Sequence, residues 1–104
     1  MARNRITAGL RPTHPGEILR EDTLPALARP KTEIARLLGI SRRALYNILD
    51  EKAAITPDMA LRIGKLTGTN PEHWLSVQQA YDLRIAARGL ARTLKTIPTL
   101  EAAS

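Results

Sequence analysis

The chain has 104 residues, close to the size of one domain, and 43% of them are hydrophobic, enough for a modest core. Sixteen Lys and Arg against ten Asp and Glu leave a net charge of +6, which points toward an anionic partner, nucleic acid first. The absence of Cys excludes disulfides, thiolate metal sites and a catalytic thiol, and fits a cytoplasmic protein that needs no oxidising compartment. No apolar run approaches the roughly 20 residues of a membrane span, and the basic start lacks the apolar core of a secretory signal.

Residues 1–13 carry Arg3, Arg5 and Arg11 with no acid and no hydrophobic period, and read as a flexible basic arm. The arm either enters a minor groove or is a bystander. Pro15, Pro57 and Pro71 then stand where first-turn prolines belong, each preceded by a candidate cap: His14, Thr56 and Asn70. Thr and Asn are good caps and His a poor one. The expected helices span 15–27, 31–38, 41–51, 57–67 and 71–90, with Pro25 bending or shortening the first and Gly39 and Gly68 as C-terminal stops. Nothing alternates with period two over a strand's length, so the class is all-α. After Gly89 amphipathicity fades, and residues 91–104 read as a loosely held tail. The expected organisation is therefore an arm, a domain over 14–90 and the tail.

The informative stretch is KTEIARLLGISRRALYNILD, residues 31–50. Ile34, Ala35, Leu37 and Leu38 lie along one side of a short helix; Gly39 turns the chain and Ser41 can cap the next helix. At about 100° per residue, Ala44, Leu45, Ile48 and Leu49 cover one face of that second helix, and Arg42, Arg43, Tyr46 and Asn47 the opposite one. Two helices joined by a Gly turn, the second displaying long donors near its start, form a helix-turn-helix. In a major groove Arg reads guanine and Asn reads adenine, each through two hydrogen bonds. The candidate DNA-binding set is Lys31, Thr32, Ser41, Arg42, Arg43, Tyr46, Asn47 and Lys52, with Ser41, Lys31 and Lys52 on phosphates. Solvated charge on an ordinary helical hairpin is the competing reading, and the joint spacing of Ala35, Gly39, Leu45 and Ile48 weighs against it.

Three segments flank this motif: HPGEIL at 14–19, ITPDMALRI at 55–63 and GTNPEHWLSVQQAYDL at 68–83. With the helix-turn-helix between them, residues 13–85 resemble the HigA-type antitoxins of the lambda-repressor-like (XRE) group. The resemblance implies a five-helix lambda-repressor-like domain, a homodimer on a palindromic operator near its own promoter, and neutralisation of HigB, a RelE-like mRNA-cleaving toxin. Three positions depart from the family pattern. Pro30 stands where a Ser commonly caps, leaving Thr32 as a later cap; Asp50-Glu51 replaces Asn-Gly; and Ala53-Ala54 replaces a basic residue and Gly. The two acids are expected to weaken phosphate affinity beside Lys52.

Projected as a helix, 71–88 places Trp74, Leu75, Val77, Tyr81, Ile85 and Ala86 on a broad core-closing side. Ala80, Leu83 and Ala87 form a second apolar strip, which suggests a contact with another chain and gives the candidate dimer interface. Glu17, Glu21 and Asp22 are the densest acids, and are the candidate surface for a basic toxin rather than a catalytic pair. His14 and His73 lack companions at metal-ligand spacing, so no metal or cofactor is expected. No phosphate-cradling Gly loop or nucleophile arrangement supports an enzyme. The remaining alternatives are a free-standing regulator of the same fold and a purely protein-binding helical adaptor.

Overall fold

The computed structural model describes residues 11–103; Arg3 and Arg5 of the expected arm lie outside them. Among the described residues every regular element is helical. Helix α1 (Pro15–Ile18) runs into a π turn (Leu19–Thr23) and a 3-10 turn (Pro25–Leu27), so the expected 15–27 segment is helical but irregular. Pro25 supplies the reason. Its ring would strike the carbonyl four residues back, and the helix widens just before it, with Leu24 N–H donating to Leu19 O at 2.9 Å. The segment stops at Ala28, which takes a left-handed conformation at φ 54°.

Four longer elements follow: α2 (Lys31–Leu38), α3 (Arg42–Leu49), α4 (Pro57–Thr67) and α5 (Pro71–Gly89). All three proline-preceding caps operate. His14 Nδ1 accepts from Gly16 N–H at 2.8 Å, Thr56 Oγ1 from Met59 N–H at 3.2 Å, and Asn70 Oδ1 from Glu72 N–H at 2.8 Å. His14 thus caps despite its low ranking, its ring fixed edge-on against Tyr81 at 4.8 Å. Pro30 offers no side-chain cap to α2, and Thr32 does not take over: the Pro30 carbonyl accepts from Glu33 and Ile34, and the helix starts at Lys31.

The core joins Leu19 and Leu24 from the first segment, Ile34, Ala35 and Leu38 from α2, Leu45, Ile48 and Leu49 from α3, Ile55, then Ala60, Ile63 and Trp74. It is aliphatic apart from Trp74, whose indole N–H donates to Thr69 Oγ1 at 2.8 Å. Gly16 sits directly over the end of α3, where a Cβ would collide with the Ile48 carbonyl oxygen, so the first helix can pack there only without a side chain. Gln78, buried on α5, accepts from Ile55 N–H at 2.7 Å and donates to Asp82 at 3.0 Å, tying the loop after α3 to the last long helix.

Two boundaries depart from expectation. At the end of the expected arm, Pro12 is buried and Arg11 pairs with Glu17 at 3.3 Å, so these two residues belong with the domain. The tail opens with a helical turn, α6 (Ala91–Leu94). The core-closing side of α5 is also shorter than its periodicity suggests. Trp74 is buried and Leu75, Val77 and Tyr81 are half-buried, whereas Ile85 is 44% exposed and every described residue from Asp82 onward is exposed. Helix α5 outruns the body, and the molecule measures 55 × 30 × 25 Å.

Burial lowers the pKa of His14 below its ordinary 6.5, against the opposing pull of the Glu51 and Asp82 carboxylates and a hydrogen bond with the Ala53 backbone. A depressed folded-state value means that the unfolded chain binds the proton more readily. The stabilisation from neutral His14 is therefore complete above about pH 6.5 and declines as pH falls below it. Thermal melts between pH 7.5 and 5.5 should show this decline in the wild type and a flatter profile in His14→Asn, whose cap does not titrate. Parallel profiles would remove His14 as the cause.

Candidate nucleic-acid interface

The turn between α2 and α3 is built from the chain's own backbone. Gly39 sits at φ 74°, its N–H donates to Arg36 O at 3.1 Å, and Ile40 N–H donates to Ala35 O at 3.0 Å. This paired closure, with Gly left-handed, is the Schellman motif, and Ile40 returns toward the core behind it. Ser41 then caps α3, its Oγ accepting from Ala44 N–H at 3.0 Å. Leu45, Ile48 and Leu49 are buried, which fixes the rotation of α3 and turns Arg42, Arg43 and Tyr46 to solvent; Tyr46 is 43% exposed.

The eight proposed DNA contacts are not equally presented. Lys31, Thr32, Ser41, Arg42, Arg43, Tyr46 and Lys52 are exposed, and Asn47 is half-buried. Asn47 also has a backbone duty, its carbonyl accepting from Lys52 N–H at 2.8 Å and Ala53 N–H at 3.1 Å. Helix α3 ends at Leu49, two residues before the expected 51, because Glu51 adopts φ 63°. A left-handed non-glycine residue costs about 1 kcal/mol, which Gly at this position would avoid. The half-buried Glu51 carboxylate pairs with Arg20 at 3.3 Å.

Two arginines that the sequence did not single out hold the motif from outside. Arg62 on α4 donates from Nη1 to Leu38 O at 2.8 Å, closing the C-terminal end of α2, while its Nε pairs with Asp58 one turn back. Arg20 on the first segment donates from Nη1 to Leu49 O at 2.6 Å, closing the end of α3, and from Nε to Glu21 at 2.9 Å. Its bond to Glu21 holds the Arg20 pKa above its usual value, with Glu51 adding to the effect. Asp58–Arg62 was visible as an i,i+4 pair, but the carbonyl targets lie 24 and 29 residues away in sequence and leave no local signal.

The other candidate surfaces are carried by other elements. Ala80, Leu83 and Ala87 are exposed on α5, Leu83 at 69%. Of the acids, Glu21 and Asp22 are exposed, whereas Glu17 is half-buried against Arg11. His14 and His73 serve separate helix starts, the first as a cap and the second with its ring 5.8 Å from that of Trp74. Among the described residues no helix is long and apolar enough to cross a membrane.

No family model matches the chain. Virulence-associated protein I of Dichelobacter nodosus is 40% identical over 73 residues, spanning 70% of this chain and 68% of that protein. An addiction module antidote protein of the HigA family from Coxiella burnetii superposes with a TM-score of 0.79 at 36% identity, covering 88% of this chain and 99% of that one. The Pseudomonas aeruginosa antitoxin HigA, solved with the higBA promoter, gives a TM-score of 0.82 at 33% identity over 88% of this chain and all of that one. With the same fold over nearly the full length of these two HigA structures, at 36% and 33% identity, this chain belongs to the HigA family.

Proposed function

We propose that the protein is the antitoxin of a HigBA-type module: a dimer that binds its own operator, represses transcription in the cytoplasm and neutralises a RelE-like ribonuclease. The observation that carries the reading is the exposed face of Arg42, Arg43 and Tyr46 on the second helix of a helix-turn-helix whose opposite face is buried. The HigA of Pseudomonas aeruginosa, with the same fold, was solved with promoter DNA, which supports the same use of the motif here. Arg42, Arg43, Tyr46 and Asn47 meet base edges, and Lys31, Thr32, Ser41 and Lys52 meet phosphates.

A single eight-residue helix contacts few base pairs, so a dyad placing two of them about 34 Å apart is needed for specificity. The Ala80, Leu83 and Ala87 strip on the projecting half of α5 is the surface we assign to that dimer. The toxin is assigned to the first helical segment, through Glu17, Glu21 and Asp22. A ribonuclease that holds RNA is basic, and this is the densest acidic group in the chain. DNA and toxin then occupy different faces, and one dimer can hold both.

Gel-shift titration of the chain's own upstream DNA tests the DNA face. Arg43→Ala should cost about 1–3 kcal/mol and relax base preference, whereas Lys52→Ala should weaken all sequences alike and lower the salt slope by about one. Unchanged affinity in both variants would remove the assignment.

Leu83→Glu places a charge in a desolvated contact and should give monomers by light scattering, with operator affinity falling as the dyad is lost. A dimeric variant would move the interface elsewhere.

Co-expression with the neighbour-encoded basic protein tests the third role. Changing Glu17, Glu21 and Asp22 together to Lys should release toxicity; Asp22→Lys alone, which leaves the Arg20–Glu21 bond in place, should release it in part while operator binding survives. Full protection would relocate the toxin surface. If the wild type binds no neighbouring product, a free-standing regulator is the reading left.

A further inference from the structure

The chain leaving the DNA-reading helix carries Asp50, Glu51 and Lys52 in succession, beside the face assigned to phosphates. Two carboxylates there would repel the duplex. The structure treats them differently. Asp50 is exposed, whereas Glu51 is bent back through a left-handed turn at φ 63° toward the first helical segment, where it meets Arg20 at 3.3 Å. The same guanidinium donates at 2.6 Å to the Leu49 carbonyl, the end of the reading helix. A third bond, from Nε to Glu21 at 2.9 Å, fixes the fork from the opposite side. The planar guanidinium suits this task because its donors point at two acceptors at once, which a lysine ammonium on a flexible stem does not reproduce.

We infer that Arg20 is a positioning residue for DNA binding: it holds the Glu51 carboxylate back from the operator while closing the end of the reading helix, so that Lys52 meets the phosphates with one acid beside it instead of two. The inference deepens the operator-binding reading and rests on it. Arg20 itself does not touch DNA. It acts through the carboxylate that it holds, and the backbone strain at Glu51 is the local cost of bringing that carboxylate within reach.

The experiment is a double-variant cycle on the upstream duplex that the wild-type protein footprints, with affinity measured at low and high salt and folding followed by thermal melts. Arg20→Met should weaken binding about tenfold at low salt and by less at high salt, as screening hides the released carboxylate. Glu51→Gln alone should change affinity by less than about twofold, because the carboxylate is already drawn back from the duplex. The double variant should return to the affinity of Glu51→Gln. If Arg20→Met does not fold, Arg20→Lys takes its place in the same cycle, with a smaller loss that Glu51→Gln again restores. A loss that persists when Glu51→Gln is added makes Arg20 purely structural and overturns the inference, as does the absence of any loss. A gain of tenfold or more from Glu51→Gln alone also overturns it, since the carboxylate was then never held back. A wild-type protein that footprints no upstream DNA refutes the operator-binding reading itself, an outcome distinct from failure of the cycle.

Discussion

Everything the protein offers to DNA depends on the seam between α2 and α3, where Ile34, Ala35 and Leu38 pack into one core with Leu45, Ile48 and Leu49. The apolar half of α3 can be buried in only one rotation. That rotation is what aims Arg42, Arg43 and Tyr46 outward. Truncating a buried leucine or isoleucine to alanine typically costs about 2–5 kcal/mol, a large part of the stability of a domain this small. The burial thus stabilises the fold and orients the reading face at once.

A helix-turn-helix this short has an electrostatic problem. Each eight-residue helix ends in carbonyls that lack an intrahelical partner and carry a partial negative charge, which a protein that binds a polyanion must offset. In this protein both ends are closed by arginines from outside the motif: Arg62 on the Leu38 carbonyl and Arg20 on the Leu49 carbonyl. The first helical segment and α4 therefore do more than cover the core. Each closes the C-terminal end of one helix of the motif, and Gly16 allows the first helix to lie directly against the Ile48 backbone. The flanking segments HPGEIL and ITPDMALRI consequently bracket the reading unit mechanically as well as in sequence. On the far side, α5 is anchored by Trp74, Gln78 and Tyr81, and its remaining turns run past the body as an exposed apolar and cationic lever.

Local chemistry made most of the fold legible. Caps before Pro15, Pro57 and Pro71, and the left-handed stops at Gly39 and Gly68, are properties of neighbouring residues, so α2, α4 and α5 fell within a residue of where periodicity put them. The exposed face of α3 was legible for the same reason, since a four-residue apolar stripe implies its opposite. Illegible were the features set by contacts across the chain. The ion pair between Glu51 and Arg20 joins residues 31 positions apart, and the arginine closures reach across 24 and 29. The 71–88 periodicity overstated burial of Ile85 and Ala86, because amphipathicity reports what a face could cover and not how far the neighbouring body extends. The strength of His14 as a cap left no mark in the sequence, because its nitrogen works only in the buried, ring-packed setting that Tyr81 provides.

The central claim is that α3 enters the major groove at two sites related by a dyad. The natural chain has no cysteine, so Tyr46→Cys creates a single thiol on the reading face for attachment of an iron chelate that cleaves nearby DNA. With the protein bound to its upstream duplex, the account predicts two clusters of cleavage facing the major groove, about one helical turn apart, and none from the same label at Leu61→Cys on α4. Cleavage from Leu61 in place of Tyr46, or a single cluster from a bound dimer, would contradict it.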